Sequence, residues 1–266
     1  MRLVVDSKYV GLKPFLSQLA DDGWFDRHGG ILHDGRNTIK RFDAEGCSLA
    51  VKRFGHLSIL NRMIYGTLRR SKAMRAYLHA GRLRALGIDT PEAVAAVEIR
   101  RYGLLRTSYF VALHTDYRPL PPVLESFVRQ PSAVKPLLDA LAGFLFRLHR
   151  AGVLHLDLNQ GNILYRYDEA DGYRFQLIDT NRMRFRRRLS LRKRLENLRR
   201  LSCEASAYLY ILRRYAEISR TDPSGVQLRG VLMRLFFESR QSFKLRLKRW
   251  RSGCMRRNGG PSGKAG

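Results

Sequence analysis

One ten-residue stretch holds most of the reactive side chains: His155-Leu156-Asp157-Leu158-Asn159-Gln160-Gly161-Asn162-Ile163-Leu164. It follows a long helical pattern and runs straight into a strand. Asp179 comes 22 residues after Asp157, at the end of the partner strand, and Lys52 lies far upstream in Leu49-Ala50-Val51-Lys52. A carboxylate can take a proton from a hydroxyl, Asp and Asn oxygens suit a hard cation such as Mg²⁺, and a strand lysine can face phosphate oxygens. Moving a phosphoryl group onto a hydroxyl uses all three. In that chemistry Asp157 accepts the proton, Asn162 and Asp179 hold the cation, and Lys52 meets the nucleotide phosphates. The five-residue step from Asp157 to Asn162 lets one tight loop serve acceptor and metal together. Ala50, small and two residues before the lysine, leaves room for an adenine ring. Taken singly, each residue has a plainer role: Asp157 capping a turn, Asn162 closing a strand end, Lys52 solvated on a strand. The ordered set has no such explanation.

The elements that must carry these residues are legible in outline. Residues 37–42 (NTIKRF) and 47–54 (CSLAVKRF) alternate in polarity around the turn cluster Asp43-Ala44-Glu45-Gly46, which predicts a hairpin. Residues 57–70 are basic and poorly periodic. A helix is expected from Ser71, a suitable N-cap, to Leu86, closed by Gly87. Two more strands, 93–100 and 107–114, meet around Tyr102-Gly103. Residues 117–122, with three prolines, read as a linker. Beyond Ser132 apolar residues follow the 3.6-residue period through Leu148. Strands at 163–167 and 173–178 flank a turn, and the chain is helical again from Ser190 to about Trp250. The outline is an α+β chain: a small β-rich N-lobe (1–116, with one helix), a hinge (117–122), a larger helical C-lobe (123–251) and a disordered tail (252–266).

The strand lysine, the H-x-D-x-x-x-x-N loop and the later Asp, in this order, resemble the signature set of protein-kinase-like enzymes. More narrowly, Ser71-Lys72-Ala73, Leu86-Gly87-Ile88-Asp89-Thr90-Pro91, HLDLNQGNI and IDTNRMRF resemble the bacterial lipopolysaccharide kinase family. The likeness covers about residues 35–185. It implies a protein-kinase-like bilobal fold that uses ATP and Mg²⁺ to phosphorylate Kdo or heptose of the lipopolysaccharide inner core. It also implies Asp157 as catalytic base, Asn162 and Asp179 as metal ligands, Lys52 as the nucleotide lysine, and His155 as the residue orienting the loop. Lys72 and Arg182 fall inside family-like segments without an assigned role. The chain departs from protein kinases in several places. Leu156 stands where they carry Arg, Thr180-Asn181 follows Asp179 in place of Phe-Gly, and no Ala-Pro-Glu follows. Gly35-Arg36-Asn37 is a poor glycine-rich loop. Residues 53–91 contain no Glu, so the usual helix partner of the lysine is missing, with Leu78 and His79 near its expected position. These departures favour a small or lipid-linked acceptor over a protein substrate. They also leave open a kinase-like binding module for an anionic partner, or a soluble small-molecule phosphotransferase.

Composition bounds the partners. The 266 residues hold 50 Lys+Arg against 23 Asp+Glu, a net charge of +27, and 44% are hydrophobic, which excludes a disordered polycation. Cys47, Cys203 and Cys254 lie too far apart for a zinc motif or disulfide framework and suit a reducing cytosol. The seven histidines show no metal-ligand spacing, and the start of the chain has no signal-peptide layout. Ten of the nineteen residues from 182 to 200 are basic. In 234–251, Phe236, Phe243, Leu247 and Trp250 recur among Lys244, Arg246, Lys248, Arg249 and Arg251, as in a basic amphipathic helix. An ordinary core-facing helix shows the same pattern. No nucleic-acid reading motif is present. The expectation is a peripheral protein on the inner face of the cytoplasmic membrane, bound to anionic lipid and to a lipid-linked anionic saccharide. The sequence carries no signal for oligomeric state.

Overall fold

The computed structural model describes residues 1–21, 23–55 and 70–257, with side chains as far as Arg246. The basic stretch 57–69, the tail beyond 257, and the side chains of Leu247, Lys248, Arg249, Trp250 and Arg251 lie outside the described residues.

The first hairpin forms as its turn residues demand. β3 (Thr38–Ala44) and β4 (Cys47–Phe54) pair antiparallel, with Asp43 and Ala44 drawn into the ladder opposite Ser48 and Cys47. Only Glu45 (φ 49°) and Gly46 (φ 71°) remain as a two-residue turn whose left-handed pair matches strand twist. Tyr102 (φ 51°) and Gly103 (φ 75°) make the same turn between β5 (Ala93–Arg101) and β6 (Leu104–Leu113). With β1 (Arg2–Val5) and β2 (Gly30–His33) at the edges, these strands form one antiparallel sheet in the order β1-β5-β6-β4-β3-β2. The edge strands and the short helices α1 (Lys13–Gln18) and α2 (Trp24–Arg27) are additions to the expected hairpins.

Side-chain alternation in β4 decides the site. Leu49 and Val51 point into a core with Leu16, Phe25 and Tyr109, so Ala50 and Lys52 face the opposite side. A one-residue slip would bury the lysine in that core and turn Val51 to the cleft. On the cleft side Phe54 and Ala96 pack on Ala73 and Met74 of α3 (Lys72–Ala85), whose Ser71 N-cap accepts the Met74 amide.

The three-proline segment is more ordered than a linker. β7 (Arg118–Pro119) pairs with β9 (Ile163–Asp168), and α4 (Pro121–Glu125) begins on the prolines. Thr115 Oγ1 donates to Gln176 Oε1 (2.9 Å) and Tyr117 Oη to Asp89 Oδ2 (3.3 Å), tying the segment to both sides.

The helical part is built on α5 (Pro131–Arg150), with α6 (Leu191–Leu198), α7 (Ala205–Ile218) and α8 (Pro223–Arg257). Its core joins Leu137, Leu141, Leu145 and Leu148 of α5 to Tyr208, Ile211 and Tyr215 of α7. Because α8 runs to Arg257, the backbone at 252–257 is helical where a tail was expected. Among the described residues no helix is long and apolar enough to cross a membrane. Two small sheets hold the reactive loop between them. β9 pairs with β10 (Gly172–Leu177), and β8 (Val153–His155) pairs with β11 (Met183–Phe185).

Candidate active site

A cleft of about 650 Å³ separates the six-stranded sheet from the helical part, a volume suited to a nucleotide-sized ligand. Its walls bring together Ala50, Lys52, Asn162 and Asp179, four of the six residues singled out in the sequence. His155 is buried behind them and Asp157 stands at the loop's other side, facing a separate cavity.

Lys52 Nζ lies 2.7 Å from Asp179 Oδ1, so the lysine without a helix Glu is held by the candidate metal ligand itself. Burial pushes the Asp179 carboxyl upward. The charge and hydrogen bond of Lys52, with smaller help from His155 and Asn181, outweigh that and hold it below the usual carboxylate range. Asp179 takes a left-handed backbone (φ 55°), a strained conformation that Asp tolerates better than most residues. Flanking hydrogen bonds impose it: Leu177 N to Asp89 O (3.1 Å) and Ile178 N to Asn162 O (3.0 Å).

The loop is fixed from inside. Asp157 N donates to His155 Nδ1 (3.1 Å), so the ring proton sits on Nε2, which donates to Ile178 O (3.0 Å). Burial drives the His155 pKa down, against the Ile178 hydrogen bond, which keeps that neutral tautomer. Asn162 Nδ2 donates to Asp157 O (2.8 Å), which spends its amide group on the loop and leaves its side-chain oxygen for another partner. Asp157 Oδ2 lies 3.4 Å from Arg182, a contact with no local signal in the sequence.

Behind the loop runs a buried polar chain that sequence reading also missed. Asn197 Nδ2 donates to His155 O (2.7 Å), and Asn197 Oδ1 accepts from His149 Nε2 (3.2 Å). His149 Nδ1 is then the acceptor for Tyr215 Oη (2.9 Å). Burial lowers the His149 pKa to about 4, with the Asn197 bond opposing and Arg194 adding to the fall. One donor and one acceptor on a neutral ring satisfy every partner.

Helix α3 is tied to the segment after Asp179. Thr180 Oγ1 donates to Ala76 O (3.0 Å) and His79 Nδ1 to Thr180 O (2.7 Å). His79 thus occupies the region where a Glu was sought and grips backbone there. At the N-terminus of α3, Lys72 has a lowered pKa from burial and from Arg36, Arg75 and Arg182, with Asp179 opposing. Lys72 thus sits in a positive field that Asp179 opposes.

A divalent cation fits the donor chemistry. Hard oxygens come from Asp179 and Asn162, and Mg²⁺ in nucleotide sites takes only one or two protein carboxylates and completes its shell with phosphate and water. No cluster of three His, Cys, Asp or Glu capable of holding a metal without such help occurs among the described residues.

Comparison with known proteins agrees with this geometry. A solved structure described as WaaP in complex with acyl carrier protein aligns over 92% of this chain and 99% of its own, with a TM-score of 0.60 and 21% identity. That likeness is one of fold. A search of curated proteins returns no match. The family model for the lipopolysaccharide kinase (Kdo/WaaP) family matches residues 43–222, about two thirds of the chain, and spans Lys52, the 155–162 loop and Asp179. With the kinase-like arrangement seen around Asp179, this match shows that the chain belongs to the lipopolysaccharide kinase (Kdo/WaaP) family, a family of phosphotransferases of lipopolysaccharide biosynthesis.

Proposed function

We propose that the cleft binds ATP with Mg²⁺ and that the enzyme phosphorylates a hydroxyl of Kdo or heptose in the lipopolysaccharide inner core, at the cytoplasmic face of the membrane. The observation that carries this reading is the Lys52–Asp179 pair at 2.7 Å beside Asn162, with Asp157 on the same loop. Bound ATP and Mg²⁺ would supply the phosphoryl group and the charge that draws its electrons. Lys52 faces the α and β phosphate oxygens, Asn162 and Asp179 hold the cation, and Ala50 leaves space for the base. Asp157 Oδ takes the proton from the acceptor hydroxyl, with Arg182 at 3.4 Å aiming the carboxylate. His155 sets the loop's backbone from below.

The 117–122 segment serves as the hinge between an N-lobe (1–116) and a C-lobe (123–251). The basic run 185–200 and the exposed Phe236 and Phe243 of α8 support attachment to anionic bilayers. By likeness to the WaaP complex, acyl carrier protein is a second partner to test against the exposed Leu228, Leu232 and Leu235 of α8, by co-purification.

The test uses labelled ATP, Mg²⁺ and two lipid-linked acceptors, one ending in Kdo and one extended by heptose. The expected result is transfer to one acceptor by the wild type, lost by about 10²–10⁴-fold in Asp157→Ala. Wild-type turnover in that variant would overturn the assignment of the base.

A further inference from the structure

Two arginines stand beside the loop with no part in the nucleotide cleft. Arg199 and Arg200, at the C-terminal end of α6, both lie over the ring of Phe237 on α8, each guanidinium carbon 4.9 Å from its centre. They line a cavity of about 380 Å³ together with Asp157, Asn159 and Gln241. The nucleotide cleft touches the same loop from the other side, at Gly161 and Asn162. The loop is therefore a partition, and the proton-accepting carboxylate belongs to the second cavity.

Charge in that cavity is unbalanced. Neither Arg199 nor Arg200 forms an ion pair among the described residues, and Arg199 Nε is buried without a hydrogen-bond partner. Both acids of the lining are engaged by other arginines, Glu238 by Arg234 at 2.8 Å and Asp157 by Arg182 at 3.4 Å. Burial lowers the Arg200 pKa, and the like charges of Arg199 and Arg182 lower it further against the pull of Asp157. Stacking on the one Phe237 ring holds both guanidinium groups at this cavity despite the repulsion between their like charges. Guanidinium forks match planar carboxylate and phosphate oxygens in pairs, which a lysine cannot do.

We propose that this second cavity is the acceptor subsite, in which Arg199 and Arg200 bind an anionic group, a carboxylate or a phosphate, carried by the acceptor next to the hydroxyl presented to Asp157. The proposal rests on the phosphotransfer reading for its place in the reaction but predicts binding that needs no nucleotide.

The probe is purified inner-core lipopolysaccharide in neutral detergent micelles, used intact, stripped of phosphate, methylated at its carboxyls, or both. Binding is measured without nucleotide by thermophoresis, for the wild type and for Arg199→Gln/Arg200→Gln, Arg199→Lys/Arg200→Lys and the control Arg213→Gln/Arg229→Gln, which removes equal charge from exposed positions. The glutamine pair is expected to bind intact acceptor about tenfold more weakly or worse, with lysine restoring part of the loss and the control unchanged. In transfer assays the loss should fall on the acceptor KM, with the affinity for MgATP unchanged. Wild-type loss on methylation alone identifies a carboxylate, and loss on phosphate removal alone identifies a phosphate. The inference is overturned if the glutamine pair binds like wild type, if the control loses as much, or if wild type binds the doubly neutralised probe as tightly as the intact one. That last comparison needs no variant, so misfolding of the glutamine pair cannot hide the answer. MgATP binding, read separately by thermal shift, reports on the phosphotransfer reading: its failure would remove that reading while leaving the binding series to decide the subsite.

Discussion

Acid should loosen the floor of the 155–162 loop through His149, and the effect can be sized. The imidazole is buried with its pKa lowered from 6.5 to about 4, so the folded protein resists its protonation while the unfolded chain does not. Between those values the unfolded state binds the extra proton, and stability must fall as pH falls. At about 1.4 kcal/mol per pH unit, the full gap corresponds to ~3 kcal/mol, of which ~2 kcal/mol should be lost between pH 7 and pH 5. Protonation would also convert Nδ1 from acceptor to donor and break the bond from Tyr215, beside the positive Arg194. The assay is urea unfolding at half-unit pH steps, followed by far-ultraviolet circular dichroism, for wild type and His149→Gln. Glutamine can still donate to Asn197 but does not titrate, and His155 is present in both proteins, so the difference isolates His149. The variant is expected to be less stable at pH 7 but to lose ~2 kcal/mol less on going to pH 5. Parallel curves for the two proteins over that range would refute the reasoning.

Three further outcomes follow from the same geometry. Lys52→Met, which keeps the stem but removes the charge paired with Asp179, should reduce phosphate transfer by about 10²-fold or more, read from initial rates at saturating acceptor; a loss under threefold would contradict the lysine's place at the phosphates. Gly152→Ala should destabilise by ~3 kcal/mol or more, because φ is 75° there and an added Cβ would sit 1.8 Å from Arg186 O; a melting temperature within two or three degrees of wild type would show that the β8–β11 approach gives way. Binding to anionic vesicles should weaken steeply as salt shortens the Debye length from about 10 Å at 0.1 M to about 3 Å at 1 M, with Phe243→Ala lowering what remains; equal, salt-independent binding to neutral vesicles would remove the membrane model.

The hairpins and long helices were legible because their signals are local. The turn clusters at 43–46 and around Tyr102-Gly103 place the hairpins, though only folding narrows each to a two-residue turn, and α5 declares itself by its leucine spacing. The ordered set of Lys52, the 155–162 loop and Asp179 was readable for the same reason, since each piece lies in a short motif. What escaped was either too short to have a period or too distant to have a pattern. β7 holds two residues, and β8 and β11 hold three each, so alternation has no room to show. The bonds from Asn197 to His155, Arg182 to Asp157 and His79 to Thr180 join residues 42, 25 and 101 positions apart. Asn197 in particular reads as one more polar residue in a basic helix until folding buries it against the loop.

The missing helix Glu, which counts against the chain as a kinase when only the sequence is read, has a physical resolution in the cleft. A Glu would perform two tasks: aim the lysine and anchor its helix to the nucleotide site. Here Asp179 aims Lys52, and the Thr180–Ala76 and His79–Thr180 bonds anchor α3 through backbone atoms. The change also alters charge. Asp179 is paired with Lys52, and nearby Lys72 feels Arg36, Arg75 and Arg182 as well as Asp179, so a Glu here would cancel one of these positive charges. Without it, the site keeps a stronger attraction for polyanions, and a bound triphosphate would supply the negative charge that a Glu would otherwise have provided. In the proposed reaction Asp179 would hold the cation and Lys52 would face phosphate oxygens, while without ligands Asp179 holds Lys52 at 2.7 Å. The helix is freed from carrying an acid, and its exposed face can remain basic, in keeping with the anionic acceptor proposed above.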